Sequence, residues 1–175
     1  KIYIDFSSVI YSDILNFPLL IKLNTTNFDY GKIGTSDGRD IRFYFTNAAG
    51  LLNYHFEKWN TNGESIIWVN IPKIEDLTSN FLYMYYGDAS ATNVQNTNGT
   101  YNNSYKAAYH MNEPAPNIYD LTGNLSGSAL WGSGALPTHN QSGIMGDSIL
   151  LNGGQYFNIT DNPALYFSSN AYFVS

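Results

Sequence analysis

The chain has 175 residues, 43% of them hydrophobic, enough to bury a core in one ordinary domain or two small ones. A net charge of −6 with only eight Lys and Arg argues against a nucleic-acid partner. No apolar run approaches the roughly 20 residues of a membrane-spanning helix, so this segment is not expected to insert into a membrane. The lack of cysteine excludes disulfides, thiolate metal sites and thiol nucleophiles.

The surface composition points outside the cytoplasm. Only 13% of residues are charged, about half the usual share, whereas 16% are aromatic and 15 are Tyr. With 22 Asn in addition, the surface is built from Asn, Ser, Thr and Tyr rather than from Lys and Glu. This pattern favours an extracellular or cell-surface location, the alternative being a genome of biased composition.

The first 90 residues contain short aromatic and β-branched runs with the period of two typical of strands. The runs lie at 1–6, 17–23, 40–45, 51–59, 65–71 and 81–86. In the run 51–59, apolar residues alternate with Asn53, His55 and Glu57, which predicts one buried and one polar face. Residues 66–69 and 81–86 are apolar on both faces, as in strands covered on both sides.

Turn signals such as Ser36-Asp-Gly38 separate these runs, and no helical periodicity appears. The segment 1–90 is therefore predicted to be an all-β, antiparallel β-sandwich. We expect its best-buried side chains to be Ile41, Phe43, Tyr54, Phe56, Trp68, Val69 and Tyr85.

A polar spacer at 91–105 divides the chain and predicts a linker between two domains. The second domain, 106–175, has strand candidates at 107–112, 148–151 and 155–159. The last two flank Asn152-Gly153-Gly154, a turn sequence that predicts a hairpin.

Four ordered motifs in the first domain resemble an uncharacterised "domain of unknown function" family of bacterial and archaeal surface proteins. They lie at 12–23, 37–43, 67–72 and 83–87. Residues 106–175 resemble the opening of a laminin-G/concanavalin-A-like jelly roll, through the motifs at 109–113, 119–124, 143–146 and 150–159. Because a complete jelly roll is longer, this resemblance predicts that the polypeptide continues beyond Ser175 or that a neighbouring subunit supplies the missing strands.

Candidate sites for chemistry are few. His110 and Glu113 have a spacing that suits a metal on a helix, but the prolines at 114 and 116 make a loop or strand end the favoured interpretation. Asp40 and Arg42 share a strand face and could bind a carboxylate or a sugar, although such a pair is more often an internal salt bridge.

The aspartates at 37, 88 and 120 lie in turns, where Asp is common for backbone reasons. No cofactor and no metal site are expected from the sequence. The laminin-G resemblance leaves calcium as the one ion to consider, with oxygen ligands from these turns. Trp59, Trp131 and Tyr156 are candidates for stacking on sugars. No nucleophile elbow or distinct carboxylate pair indicates hydrolysis.

Six Asn-x-Ser/Thr sequons are candidate glycosylation sites, with the two in the spacer expected to be most exposed. They are Asn24, Asn98, Asn102, Asn124, Asn140 and Asn158. The sequence thus predicts a non-enzymatic structural or adhesion protein of a prokaryotic cell surface, filament or surface layer. Its partners would be neighbouring copies, other surface proteins or glycans. The alternative is a carbohydrate-binding module of a larger secreted enzyme.

Overall fold

The computed structural model describes most of the chain. The described residues are 1–4, 12–45, 48, 50–74, 80–101, 105–114, 116–123, 125, 130–131 and 136–166. They fall into two compact units, Lys1–Asn102 and Asn103–Ser175. Among these residues, no helix is long and apolar enough to cross a membrane.

The first unit contains six strands, a 3-10 turn at Tyr30–Lys32 and one helical turn, α1, at Thr97–Thr100. Its strands are β1 (Ile2–Ile4), β2 (Ile14–Leu23), β3 (Arg42–Phe45), β4 (Tyr54–Lys58), β5 (Ser65–Ile74) and β6 (Asn80–Tyr85). They form two antiparallel sheets, in the orders β1-β6-β3 and β2-β5-β4. The two sheets pack as a sandwich, which confirms the predicted all-β antiparallel fold.

Alternation places the apolar side chains of both sheets in one core. In the β1-β6-β3 sheet, directly paired residues share a face, and Phe43, Phe45 and Leu82 point inward with at most 4% of their surface exposed. In the other sheet, Tyr54 opposes Val69 on the inner face, and both are buried. The predicted burial is thereby confirmed for Ile41, Phe43, Tyr54 and Val69, while Phe56 and Trp68 are half-buried.

Two predictions about strand faces are wrong. Tyr85 is 55% exposed, because the outer face of β6 has no second layer over it among the described residues. His55, predicted on a polar face, is buried because its ring packs 5.6 Å from that of Tyr101. Tyr101, near the end of the unit, therefore covers part of the outer face of the β2-β5-β4 sheet.

Residues 92–101, the strap, run along the free edge of β4. The backbone N–H of Asn96 donates to the Tyr54 carbonyl at 2.8 Å, and the Gln95 side chain accepts from the Phe56 N–H at 2.7 Å. Further along the strap, the Thr100 carbonyl accepts from the side-chain amide of Asn70 at 3.1 Å. These bonds pair an edge that would otherwise offer free backbone groups to another chain.

The opposite edge strand, β2, contains Pro18, which cannot donate to an added strand. An ion pair joins Lys73 of the neighbouring β5 to Asp13, just before β2, at 2.9 Å. Both edges of this sheet therefore have features that disfavour strand addition.

Gly34 lies where the chain leaves no space for a side chain. A Cβ at this position would be 2.4 Å from the Asp88 carbonyl carbon and 2.5 Å from the Ala89 nitrogen. We expect Gly34→Ala to lower the free energy of unfolding by about 1–3 kcal/mol, since backbone must shift. Chemical denaturation measures this, with Gly154→Ala as control, because nothing lies within 4 Å of that Cβ. Equal losses in both variants would contradict the packing argument.

The second unit contains two antiparallel strand pairs and a 3-10 turn at Pro163–Leu165. The strands are β7 (Leu130–Trp131), β8 (Thr138–Ser142), β9 (Asp147–Leu150) and β10 (Phe157–Asn158). The predicted hairpin across residues 152–154 is wrong: β9 pairs with β8 and β10 with β7. The Asn152 N–H donates to the Gln155 side chain instead of a facing strand, so the turn does not bring β9 and β10 together. Residues 107–112 form no strand.

Candidate binding surface

The outer side of the β1-β6-β3 sheet carries a continuous group of aromatic rings. Strand register puts Tyr3 opposite Phe81 and Tyr44 opposite Tyr83, and Tyr85 follows two residues later on β6. All five side chains point away from the core, because the alternate positions of the same strands point inward. We call these five residues the tyrosine face.

The rings contact one another as a chain. Centroids are 5.9 Å apart for Tyr3 and Phe81, 5.4 Å for Phe81 and Tyr83, 6.2 Å for Tyr83 and Tyr85, and 5.3 Å for Tyr85 and Tyr44. Tyr3 is 71% exposed and Tyr83 is 38% exposed. Neighbouring rings are tilted or perpendicular, so the surface is corrugated rather than flat.

Two cations border the face. The Lys1 ammonium lies 3.6 Å from the centroid of the Phe81 ring, a cation–π contact. At the other end, Arg42 lies opposite Tyr85 in the sheet and lines a recess of about 470 Å³ together with Tyr44 and Tyr85. A recess of this volume is in the range of small-molecule sites.

Backbone carbonyls hold the Arg42 guanidinium in place. It donates to the carbonyls of Arg39 at 2.7 Å, Ile41 at 2.8 Å and Thr92 at 2.7 Å. The sequence-based prediction of an ion pair with Asp40 is not met, since within the described part of the chain Arg42 forms no ion pair. Carbonyl oxygens fix the group without cancelling its charge.

Asp40 anchors the strands that carry the recess. Its carboxylate accepts from the backbone N–H of Gly34 at 2.8 Å and Gly87 at 2.6 Å, and from the Thr35 hydroxyl at 2.7 Å. Burial alone would raise the pKa of Asp40, but the hydrogen bonds from Gly87, Thr35 and Gly34 outweigh it and lower the pKa below the usual 3.8. The charged side chain thus ties the start of β3 to the end of β6.

Tyr54 lies beneath this region. Its hydroxyl donates to the Ile41 carbonyl at 2.6 Å, and burial raises its pKa although nearby Arg42 acts in the opposite direction. The phenol is therefore neutral and structural at neutral pH.

The structure does not place His110 and Glu113, the candidate metal ligands of the second unit, in a group of metal-binding residues. Among the described residues, no group of three or more His, Cys, Asp and Glu could hold a metal ion. Burial lowers the pKa of His110 to about 4, so its imidazole is neutral at pH 7. Glu113 is buried, and its carboxylate accepts from the Tyr119 N–H at 3.3 Å.

The turn aspartates are engaged by their own loops. Asp37 accepts from the Arg39 N–H, and Asp88 accepts from the N–H and hydroxyl of Ser90. Asp120 accepts from three backbone N–H groups and from the Thr122 hydroxyl at 2.6 Å. The backbone roles that Asp has in turns therefore account for these oxygens.

The remaining candidates are scattered. Trp59 stacks on Phe56 at 4.7 Å and donates its indole N–H to the Ser36 carbonyl, whereas Tyr156 is exposed. Nothing is described for the side chain of Trp131.

Among the sequons, Asn98, Asn140 and Asn158 are exposed and Asn24 is partly buried, while Asn102 and Asn124 lie outside the described residues. Their glycosylation stays a prediction.

Sequence reasoning missed the tyrosine face, although a signal was present. On strands β1, β3 and β6, the inward positions hold Ile, Phe, Leu and Met, whereas four of the five outward aromatic positions hold Tyr. A hydroxyl on the ring lets an aromatic side chain face water. Tyr at alternate positions of these strands, with Ile, Phe, Leu or Met between them, would have distinguished the outer face of the sheet from its inner face.

Residues 37–113 match the family model described as "Domain of unknown function (DUF2341)". The match supports the resemblance to an uncharacterised family, with limits that differ from the expected 1–90. It covers less than half of the chain and includes Arg42, the strap and every ring of the tyrosine face except Tyr3. Comparisons with curated proteins and with solved structures find no match.

Proposed function

We propose that this protein is a non-enzymatic, extracellular structural or adhesion protein of a prokaryotic cell surface, filament or surface layer. In this proposal the second unit is the start of a laminin-G/concanavalin-A-like jelly roll, and the tyrosine face of the first unit is the attachment surface. The observation that carries the proposal is a contiguous chain of five outward-facing aromatic rings, of which the four tyrosines are exposed.

The composition of the face supports attachment. Tyr and Arg are enriched at the energetically important centres of interfaces. Tyr buries a large, rigid area with two rotatable bonds, and Arg presents a planar set of hydrogen-bond donors. A contiguous aromatic patch on a soluble surface generally marks an interaction site. The described edges of the β2-β5-β4 sheet are covered by the strap or contain Pro18, which favours binding through a face.

A triple variant tests this function: Tyr3→Ser, Tyr83→Ser and Tyr85→Ser. We expect it to lose at least about tenfold in retention on envelope fragments from a panel of bacteria and archaea, measured by co-sedimentation. Self-association, measured by sedimentation velocity, reports whether neighbouring copies are the partner. All three positions are exposed, so circular dichroism should show an unchanged fold.

A matched control carries the same chemistry elsewhere. Tyr119→Ser and Tyr166→Ser remove two exposed tyrosines of the second unit and should leave retention unchanged. Equal binding and self-association in parent and face variant would contradict the proposal. Release of soluble sugars from the envelope fragments would contradict its non-enzymatic part.

The second candidate is a carbohydrate-binding module of a larger secreted enzyme. The recess beside Arg42 favours it, because aromatic walls with one fixed polar group suit a sugar ring. Strong self-association without glycan binding would count against this candidate.

A further inference from the structure

We propose that the recess lined by Arg42, Tyr44 and Tyr85 binds an acidic sugar unit of a polysaccharide, such as a uronic acid. The inference rests on the proposed function and names the partner of one end of the tyrosine face. The geometry of the two tyrosine rings and the charge of Arg42 favour an acidic sugar. The positions of the cations along the described face disfavour a nucleic acid.

The two tyrosines form a corner. Their ring centroids are 5.3 Å apart and the ring planes are inclined at 84°, so one ring presents its face where the other presents its edge. The face of an aromatic ring is electron-rich and attracts the polarised C–H groups on one side of a pyranose. Tyr85 is 55% exposed, so a ligand can reach the corner from solvent.

The charge at this corner selects a carboxylate. Three carbonyls fix the Arg42 guanidinium, and no carboxylate lies at ion-pair distance within the described part of the chain. A planar guanidinium binds a carboxylate through directed, charge-assisted hydrogen bonds. Arg42 acts electrostatically on Asp88, whose own carboxylate is held by Ser90.

The same features disfavour a nucleic acid and a neutral glycan as ligands of this recess. A single-stranded nucleic acid needs a cationic track along its backbone, whereas Arg42 and Lys1 lie at opposite ends of the described face. A neutral glycan would leave the charge of Arg42 unused. The net charge of −6 does not prevent binding of an acidic sugar, because charges beyond about 8–10 Å are largely screened at physiological salt.

The probes are oligogalacturonate and a neutral maltooligosaccharide of equal length, titrated calorimetrically against the full chain. We expect measurable binding of the acidic probe that weakens as salt rises, and at least tenfold weaker binding of the neutral one. Tyr85→Ala and Arg42→Gln should each weaken oligogalacturonate binding at least tenfold. Tyr119→Ala, which removes an exposed tyrosine of the second unit, should not change it.

Arg42→Gln also removes the hydrogen bond to the Thr92 carbonyl of the strap, so the thermal unfolding of this variant is measured alongside its binding. If that variant unfolds, Tyr85→Ala and Tyr44→Ser decide alone. No binding of oligogalacturonate, equal affinity for both glycans, tighter binding of single-stranded DNA, or self-association abolished by Tyr85→Ala would each overturn the inference. If the acidic probe fails while the triple face variant still loses envelope retention, the proposed function stands without this ligand.

Discussion

Truncating Phe43 to Ala is expected to lower the free energy of unfolding of the first unit by about 3–5 kcal/mol. The side chain has no exposed surface and packs edge-to-face on Tyr54, with ring centroids 5.2 Å apart. It lies between the two sheets, so its removal leaves a cavity that both layers line. Guanidinium denaturation followed by tryptophan fluorescence measures the loss.

The matched control is the next residue on the same strand. Tyr44 points to the outer face and is 38% exposed, so Tyr44→Ala should cost far less than Phe43→Ala. A similar loss in the two variants would contradict the assignment of inner and outer faces to β3.

Replacing Asp40 by Asn is expected to cost about 2–3 kcal/mol at neutral pH. The carboxylate accepts two backbone N–H groups and one hydroxyl, and bonds to a charged acceptor are stronger than neutral ones. Asn keeps the shape, and its NH2 group can donate to the Thr35 hydroxyl while its oxygen accepts from the two N–H groups. The cost therefore comes from replacing charge-assisted bonds with neutral ones.

The cost should depend on pH. Because the pKa of Asp40 is lowered in the folded state, the carboxylate stabilises the fold above its unfolded pKa of about 4. That contribution is lost as pH falls through the lower, folded-state pKa. The difference in unfolding free energy between parent and Asp40→Asn should thus be largest near neutrality and shrink below pH of about 4.

Asp29→Asn supplies the comparison, because that carboxylate lies in an exposed turn, where it accepts from the Gly31 N–H. It should change stability by less than about 0.5 kcal/mol at any pH. A stability difference for Asp40→Asn that is flat with pH would contradict the role assigned to its charge.

The strands and the inner core were predictable because a period of two reports directly on one buried face. Ile41, Phe43, Tyr54 and Val69 are buried as expected, since each lies on the apolar side of an alternating run or in a doubly apolar one. A local sequence pattern is enough to predict burial where the surroundings of a side chain are set by the sheet to which it belongs.

The outer faces were harder, because what covers them comes from elsewhere in the chain. His55 is buried by Tyr101, far away in sequence, whereas Tyr85 is left exposed by a face that nothing covers within the described residues. The hairpin signal at 152–154 also failed, since side chains rather than a facing strand take up the turn's backbone groups. The candidate recess depends on strand register and on the position of Arg42, neither of which alternation reveals.

The strap has a consequence for how the first unit matures during synthesis. Its residues leave the ribosome after all six strands, so His55 and Trp68 lack the Tyr101 ring that packs on them, and β4 lacks its edge partner, until Tyr101 has emerged. A nascent chain of which only residues 1–90 had emerged would expose this uncovered sheet face and the unpaired edge of β4. Such surfaces favour aggregation. Expression of the unit by itself should therefore extend to at least Tyr101, because a polar tail is its final structural layer.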